Sequence, residues 1–152
     1  MEMVFEIFVR TSEDELWRAI VDPETRRKLH LGLAAANSET VEFDPPHRLV
    51  QTTVATWSED AKRDGHSRIT WEIEPIGDWC RLTVHHDELC EGANSELYGS
   101  WPMVLSSIKT MLEPADSLAN RMSLRRAVSA YSSDRRRGAR FRARRLASVR
   151  GG

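Results

Sequence analysis

The chain has 152 residues, with 22 basic and 23 acidic side chains and a formal net charge of −1. This length indicates one domain with room for an appendage, and no stretch approaches the roughly 20 apolar residues of a transmembrane helix. The first residues lack the basic and apolar regions of a signal peptide and the two cysteines form no CxxC pair, so we expect free thiols in a reducing cytoplasm.

The first part of the chain predicts a strand followed by two helices. Residues 3–10 carry apolar side chains at both alternating sets of positions, which is typical of a strand partly covered on both faces. Ser12 and Glu15 form a capping-box pattern that starts a helix, and Asp22-Pro23 supplies the N-cap and first-turn proline of a second, short helix through Leu29.

The middle of the chain predicts an antiparallel meander. Asp44-Pro45-Pro46-His47 is a turn, residues 58–65 form a polar loop, and residues 75–78 form a tight turn. The connections are too short for parallel crossovers, so neighbouring strands must run antiparallel. The strands are expected at residues 41–43, 48–57, 67–74 and 79–87.

A final amphipathic helix follows a loop at residues 88–99. Ser100 is the expected N-cap, and Pro102 lies in the first turn, where proline is tolerated. Pro114 ends the helix. The apolar stripe has helical period and consists of Trp101, Val104, Leu105, Ile108, Met111 and Leu112.

This order of elements resembles the helix-grip fold, and five segments carry a more specific resemblance. They are Leu16-Trp17 with Asp22-Pro23, Phe43-Asp44-Pro45-Pro46, Ile69-Thr70-Trp71-Glu72, Cys80-Arg81-Leu82 and Gly99-Ser100-Trp101-Pro102. They are similar to the bacterial AHSA1-like family, named after the activator of the Hsp90 ATPase, within the SRPBCC (START/Bet v 1-like) superfamily. The resemblance implies an α+β domain over residues 1–114, in which an antiparallel curved sheet wraps around the C-terminal helix in β-α-α-β(n)-α order.

One departure from the family concerns the sheet. Relatives usually have a further β-hairpin between the helical pair and the Asp-Pro-Pro turn, and here only residues 32–40 remain. That segment is too short for two strands of about five residues and a turn. We expect a sheet that has lost one hairpin, with an exposed edge that invites self-association.

The resemblance implies a non-catalytic protein that binds a small hydrophobic ligand or a protein partner, with a role in stress response in a bacterial cytoplasm. An Hsp90-linked regulator and an aromatase/cyclase-like enzyme that uses His86 stay open as alternatives. Ligand sites are mostly apolar with a few polar groups, although the aromatic residues also suit simple core packing. The candidate cavity lining is Ile69, Trp71, Leu82, Val84, His86, Trp101, Leu105 and Ile108.

Catalytic and metal-binding patterns are missing from the sequence. The nearest cluster is His85-His86-Asp87-Glu88 with Cys90, but adjacent strand residues point to opposite faces and cannot easily bind one zinc ion. There is no Gly-rich phosphate loop, HExxH or GxSxG. We therefore expect no catalytic residues, no metal and no cofactor, with Cys80 acting as a small hydrophobic residue.

The near-zero net charge hides an asymmetry. Through Pro114 there are 11 basic and 21 acidic residues, whereas residues 115–152 contain 11 arginines and two aspartates. We expect this tail to be disordered. Its arginines suit binding to nucleic-acid phosphates, which would weaken with salt and be lost on truncation at Pro114. Three other interpretations stay open: a solvated extension, a contact with the acidic part of the chain, and a sequence that drifted after an upstream change of reading frame. The candidate polyanion-binding residues are Arg135, Arg136, Arg137, Arg140, Arg142, Arg144 and Arg145.

Overall fold

A computed structural model of the chain describes residues 1–29, 38–54, 59–93 and 99–113. Within these ranges it contains five strands and four helices, which confirms the predicted α+β class. The strands are β1 (Met3–Val9), β2 (Ser38–Asp44), β3 (Arg48–Val54), β4 (His66–Ile76) and β5 (Trp79–Asp87). The helices are α1 (Glu13–Val21), α2 (Pro23–Lys28), α3 (Glu59–Arg63) and α4 (Trp101–Leu112).

The strands form one antiparallel sheet in the order β1-β5-β4-β3-β2. Strands β2 to β5 are neighbours in sequence and in space, as expected for the predicted meander. The first strand closes against the last, with Met3 opposite His86 and Val9 opposite Cys80. The β1–β5 pair therefore places the first strand of the chain beside the last.

The two predicted helix starts are confirmed by their capping contacts. The Ser12 hydroxyl oxygen accepts a hydrogen bond from the Glu15 amide at 3.3 Å. The Asp22 carboxylate accepts from both the amide and the hydroxyl of Thr25 at 2.8 Å. Each cap satisfies amide groups that have no partner inside the helix, and so fixes where the chain changes direction.

Two local predictions are wrong, and a third is confirmed in position only. The polar loop predicted at residues 58–65 contains α3, which ends before Gly65, whose φ of 75° suits a helix terminus. Ser100 occupies the N-cap position, but its backbone is helical and its side chain makes no capping bond. Met111 was predicted to belong to the apolar stripe but is 44% exposed, whereas Trp101, Val104, Leu105 and Ile108 of that stripe are buried.

The core lies between one face of the sheet, here called the inner face, and helices α1 and α4. Helix α1 contacts β4 and α4, and α4 contacts β1. None of the helices in the described ranges is long and apolar enough to span a membrane. The core cluster consists of Leu16, Trp17, Ile20, Leu29, Leu49, Ile69, Trp71, Ile73, Cys80, Leu82, Val84, Trp101, Val104, Leu105 and Ile108.

The opposite, outer face carries ion pairs between strands. Arg81 pairs with Glu6 on β1 and with Glu74 on β4. Arg48 of β3 pairs with Glu72 of β4, directly across the strand pair. These charged groups are in contact with water, so each pair contributes little stability.

Lys109 ties the end of α4 to the first strand. Its ammonium donates to the Phe8 carbonyl at 2.6 Å and to the Glu113 carboxylate at 2.6 Å. The same Glu113 oxygen accepts from the Arg10 amide at 2.8 Å, and the ammonium lies 5.1 Å from the centre of the Trp79 ring. One cation therefore joins the helix, the strand and an aromatic ring.

We predict that Lys109→Met lowers the free energy of unfolding by about 1–2 kcal/mol, because charge-assisted bonds to Phe8 and Glu113 are lost together. Urea denaturation measures the change. Lys62→Met is the matched control, since Lys62 pairs with the exposed Glu59 of its own helix, and we expect a loss of less than about 0.5 kcal/mol there. Equal losses in the two variants would contradict the tie between α4 and β1.

Candidate functional site

The inner face is apolar along most of its length and polar at one end. The register places Gln51 opposite Ile69, Ile69 opposite His86, and Thr53 opposite Ser67. All four polar residues are buried, with at most 6% of their surface exposed. An apolar face that holds a few buried polar groups has the composition of a small-molecule site. The polar band, as we name it, consists of Gln51, Thr53, Ser67 and His86.

The eight residues predicted to line a cavity lie together in the structure. Each is at most 5% exposed. Seven belong to the core cluster, and His86 joins it through a hydrogen bond from Trp101. The structure thus brings all eight side chains together between β4, β5 and α4, with Trp71 and Trp101 in edge-to-face contact at 5.2 Å between ring centres.

His86 forms the central polar contact of this region. The Trp101 indole N–H donates to His86 Nδ1 at 3.1 Å. Because an indole can only donate, Nδ1 must be unprotonated and the proton of the neutral ring lies on Nε2. That nitrogen is 2.8 Å from the Ser67 hydroxyl oxygen, which therefore accepts. The three side chains form a directed chain from helix α4 to strand β4.

This tautomer does not support nucleophilic catalysis by Ser67. A serine nucleophile needs an imidazole nitrogen with a free lone pair facing its hydroxyl, whereas His86 presents an N–H there. Burial also lowers the pKa of His86 to about 4. Both ring nitrogens are engaged, which leaves the aromatase-like interpretation without a base at this position.

The other residues weighed for chemistry are placed as the strand pattern predicts. His85 lies on the outer face with its Nδ1 3.1 Å from Glu2, whereas His86 points inward. Cys80 is buried and donates to the Thr11 carbonyl at 3.3 Å. Burial raises the pKa of that thiol to about 11, so it stays protonated at neutral pH.

Two donors on the inner side were not identified from the sequence. Arg26 of α2 reaches Gln51, with 3.3 Å between its Nη2 and the amide oxygen. It is partly buried, desolvation lowers its pKa, and among the described residues no carboxylate lies within ion-pairing distance of it. The Trp71 indole N–H is also buried, and it has no hydrogen-bond acceptor among the described residues. No sequence pattern signals either feature, because both depend on how α2 and the sheet meet.

Several candidate residues lie outside the described part of the chain. Trp57, predicted to close the strand that contains β3, falls in residues 55–58. The arginine-rich segment with Arg135, Arg136, Arg137, Arg140, Arg142, Arg144 and Arg145 falls in residues 114–152. Their proposed roles stay predictions from the sequence.

Comparison with known proteins identifies similar folds. The family model of the activator of Hsp90 ATPase homolog 1-like proteins matches residues 32–113. A Mesorhizobium loti protein is 17% identical, with 76% of this chain and 99% of that chain covered and a TM-score of 0.63. An Hsp90 activator from Plasmodium falciparum is 18% identical, with 74% and 96% covered and a TM-score of 0.60. The Aha1 dimer from Colwellia psychrerythraea is 12% identical, with 77% and 99% covered and a TM-score of 0.58. A search of curated protein sequences finds no match.

We predict that the folded protein loses stability as the pH falls from about 6.5 to about 4, the ordinary and the lowered pKa of His86. In that pH window the His86 ring binds a proton in the unfolded chain but not in the folded chain. The free energy of unfolding therefore falls by about 3 kcal/mol. Urea unfolding at several pH values measures it, and NMR follows the His86 ring directly.

His86→Gln should flatten this pH dependence, because an amide does not titrate in the window. His66→Gln is the matched control, since His66 is exposed at the start of the same strand pair. An NMR titration of His86 near pH 6.5, or an unchanged slope in His86→Gln, would contradict the assignment.

Proposed function

Because the chain belongs to the family of activator of Hsp90 ATPase homolog 1-like proteins, we propose that it is a non-catalytic protein that binds a small hydrophobic ligand on the inner face of its sheet. The observation that carries the proposal is the polar band at the end of an otherwise apolar face. Core packing alone gains nothing from burying four polar side chains, since each costs desolvation that its hydrogen bonds only offset.

The state of His86 supports binding rather than turnover. Its two nitrogens hold Trp101 and Ser67, and so orient the first residue of α4 against the sheet. A neutral ring fixed in this way can shape a ligand site without exchanging protons at physiological pH. The eight residues of the predicted lining are thereby held in one arrangement, which lowers the entropic cost of binding.

The test uses N-phenyl-1-naphthylamine, a neutral apolar dye that fluoresces when it leaves water. We expect saturable binding to the full chain, and Ile69→Ala should weaken it roughly threefold to tenfold through lost apolar contact. Val50→Ala is the matched control, because Val50 is equally buried on β3 but alternates with the inner-facing residues. Equal effects of the two substitutions, or no saturable binding, would overturn the proposal. Native mass spectrometry of protein from its own host then gives the mass of the ligand.

Binding of a protein partner is the second candidate, and the exposed edge of the sheet favours it. Strand β2 is one of the two edge strands of the described sheet, and its Val41 and Phe43 are each 59% exposed. Among the described residues, its outer edge has no neighbouring strand. We propose a second copy of the chain as the partner, because an exposed edge can pair with the same edge of another molecule.

We predict that the protein sediments as a monomer–dimer equilibrium and that Val41→Lys shifts it to the monomer. Met103→Lys is the control, because Met103 is equally exposed (62%) but lies on α4. A clean monomer at high concentration would contradict self-association. Co-sedimentation of such a monomer with Hsp90, with and without ATP, would instead favour the chaperone partner that the family description suggests.

A further inference from the structure

We infer that the ligand of the inner face carries an anionic head group, of the carboxylate class, and that Arg26 of α2 binds it with the Trp71 indole as a neutral second donor. The inference rests on the proposed function and names the chemistry of the ligand. Two independent observations support it, one at each donor.

The first observation is a partly buried guanidinium without a carboxylate partner. Arg26 has five N–H donors, and among the described residues its side chain is hydrogen-bonded only to Gln51. Asp22, the N-cap residue four positions before Arg26, has its carboxylate engaged by Thr25. A desolvated cation that has only a neutral amide beside it gains most from an anion, because both partners are shielded from water.

The second observation is a buried N–H without an acceptor. Trp71 is 2% exposed, and its indole nitrogen, the one polar atom of the side chain, has no hydrogen-bond partner among the described residues. Such a group costs roughly 1–3 kcal/mol when it is left unpaired, so native proteins rarely keep one. A ligand oxygen that accepts from Trp71 removes this cost when it binds.

The register brings the two donors to one region of the inner face. Leu49 pairs with Trp71 and Gln51 pairs with Ile69, so Gln51 and Trp71 are diagonal neighbours. Diagonal neighbours lie about 7–8 Å apart, within reach of long side chains. Arg26 is held at Gln51, and Trp71 occupies the neighbouring diagonal position of the inner face, so one ligand head group at this position is close to both residues.

The charge of this region distinguishes an anionic ligand from a cationic one. Gln51 accepts from Arg26, and His86 accepts from Trp101. The inward-facing positions of β3, β4 and β5 contain no aspartate or glutamate. The inner face offers donors and lacks negative charge, so a carboxylate with an apolar body complements it.

The test compares octanoate with 1-octanol as displacers of N-phenyl-1-naphthylamine from the full chain. The two displacers share one alkyl chain and differ in charge. For Arg26→Met, which keeps the apolar stem, we expect displacement by octanoate to weaken about tenfold or more, with octanol unchanged within about twofold. Trp71→Phe should weaken octanoate by a smaller factor of about three to five. Arg27→Met is the matched control, because Arg27 is the exposed neighbour on the same helix.

The outcomes separate this inference from the proposed function. Dye binding with equal octanoate displacement in the wild type and in Arg26→Met would overturn the inference and leave the proposed function standing. If Arg26→Met weakened displacement by octanoate and by octanol to the same extent, the inference would likewise be overturned. That pattern would indicate a change in the structure of the inner face rather than the loss of a charge. Failure of the wild type to bind the dye would overturn both. Thermal unfolding of each variant confirms that it is folded under the assay conditions.

Discussion

The hydrogen bond from Trp101 to His86 is the contact on which the inner face depends. It forms only if β5 pairs with β4 and β1 in the observed register, with His86 opposite Ile69 and Met3. A slip of one residue would turn His86 to the solvent and bring His85 inward, because side chains alternate along a strand. It also requires α4 to begin at Trp101. The buried contact is thus formed only when sheet register and helix start agree.

Much of the secondary structure could be predicted from local patterns. The bounds of β5 and the caps at Ser12 and Asp22 follow from side-chain alternation and capping chemistry, which act over a few residues. Strand β2 was predicted too short, because its register shift between Thr40 and Glu42 is set by pairing with β3 rather than by its own sequence.

The candidate site could be predicted only in part. The cavity-lining set follows from alternation on β4 and β5 and from the period of α4, and all its members are buried together. The contacts between Ser67 and His86 and between Arg26 and Gln51 could not be predicted, because they join side chains 19 and 25 residues apart in sequence. Only the three-dimensional arrangement of strands and helices decides which donors lack an acceptor.

The charges of the domain are divided between the two faces of the sheet. Acidic and basic side chains alternate across the strands on the outer face, where water screens them. On the inner face, no aspartate or glutamate faces inward from β3, β4 or β5, and the Arg26 side chain contacts the inner-facing Gln51. A domain whose net charge is strongly negative can therefore still have a locally positive surface. Short-range contacts with desolvated groups outweigh the field of distant charges, because water and salt screen those charges.

The pairing of β1 with β5 has a consequence for synthesis on the ribosome. The first strand is made roughly 80 residues before β5, its neighbour in the described sheet, since Met3 pairs with His86. At typical elongation rates this interval lasts about 4–16 s. During that time β1 lacks the strand with which it pairs in the described sheet. The described fold can therefore close only after β5 and α4 have left the ribosome.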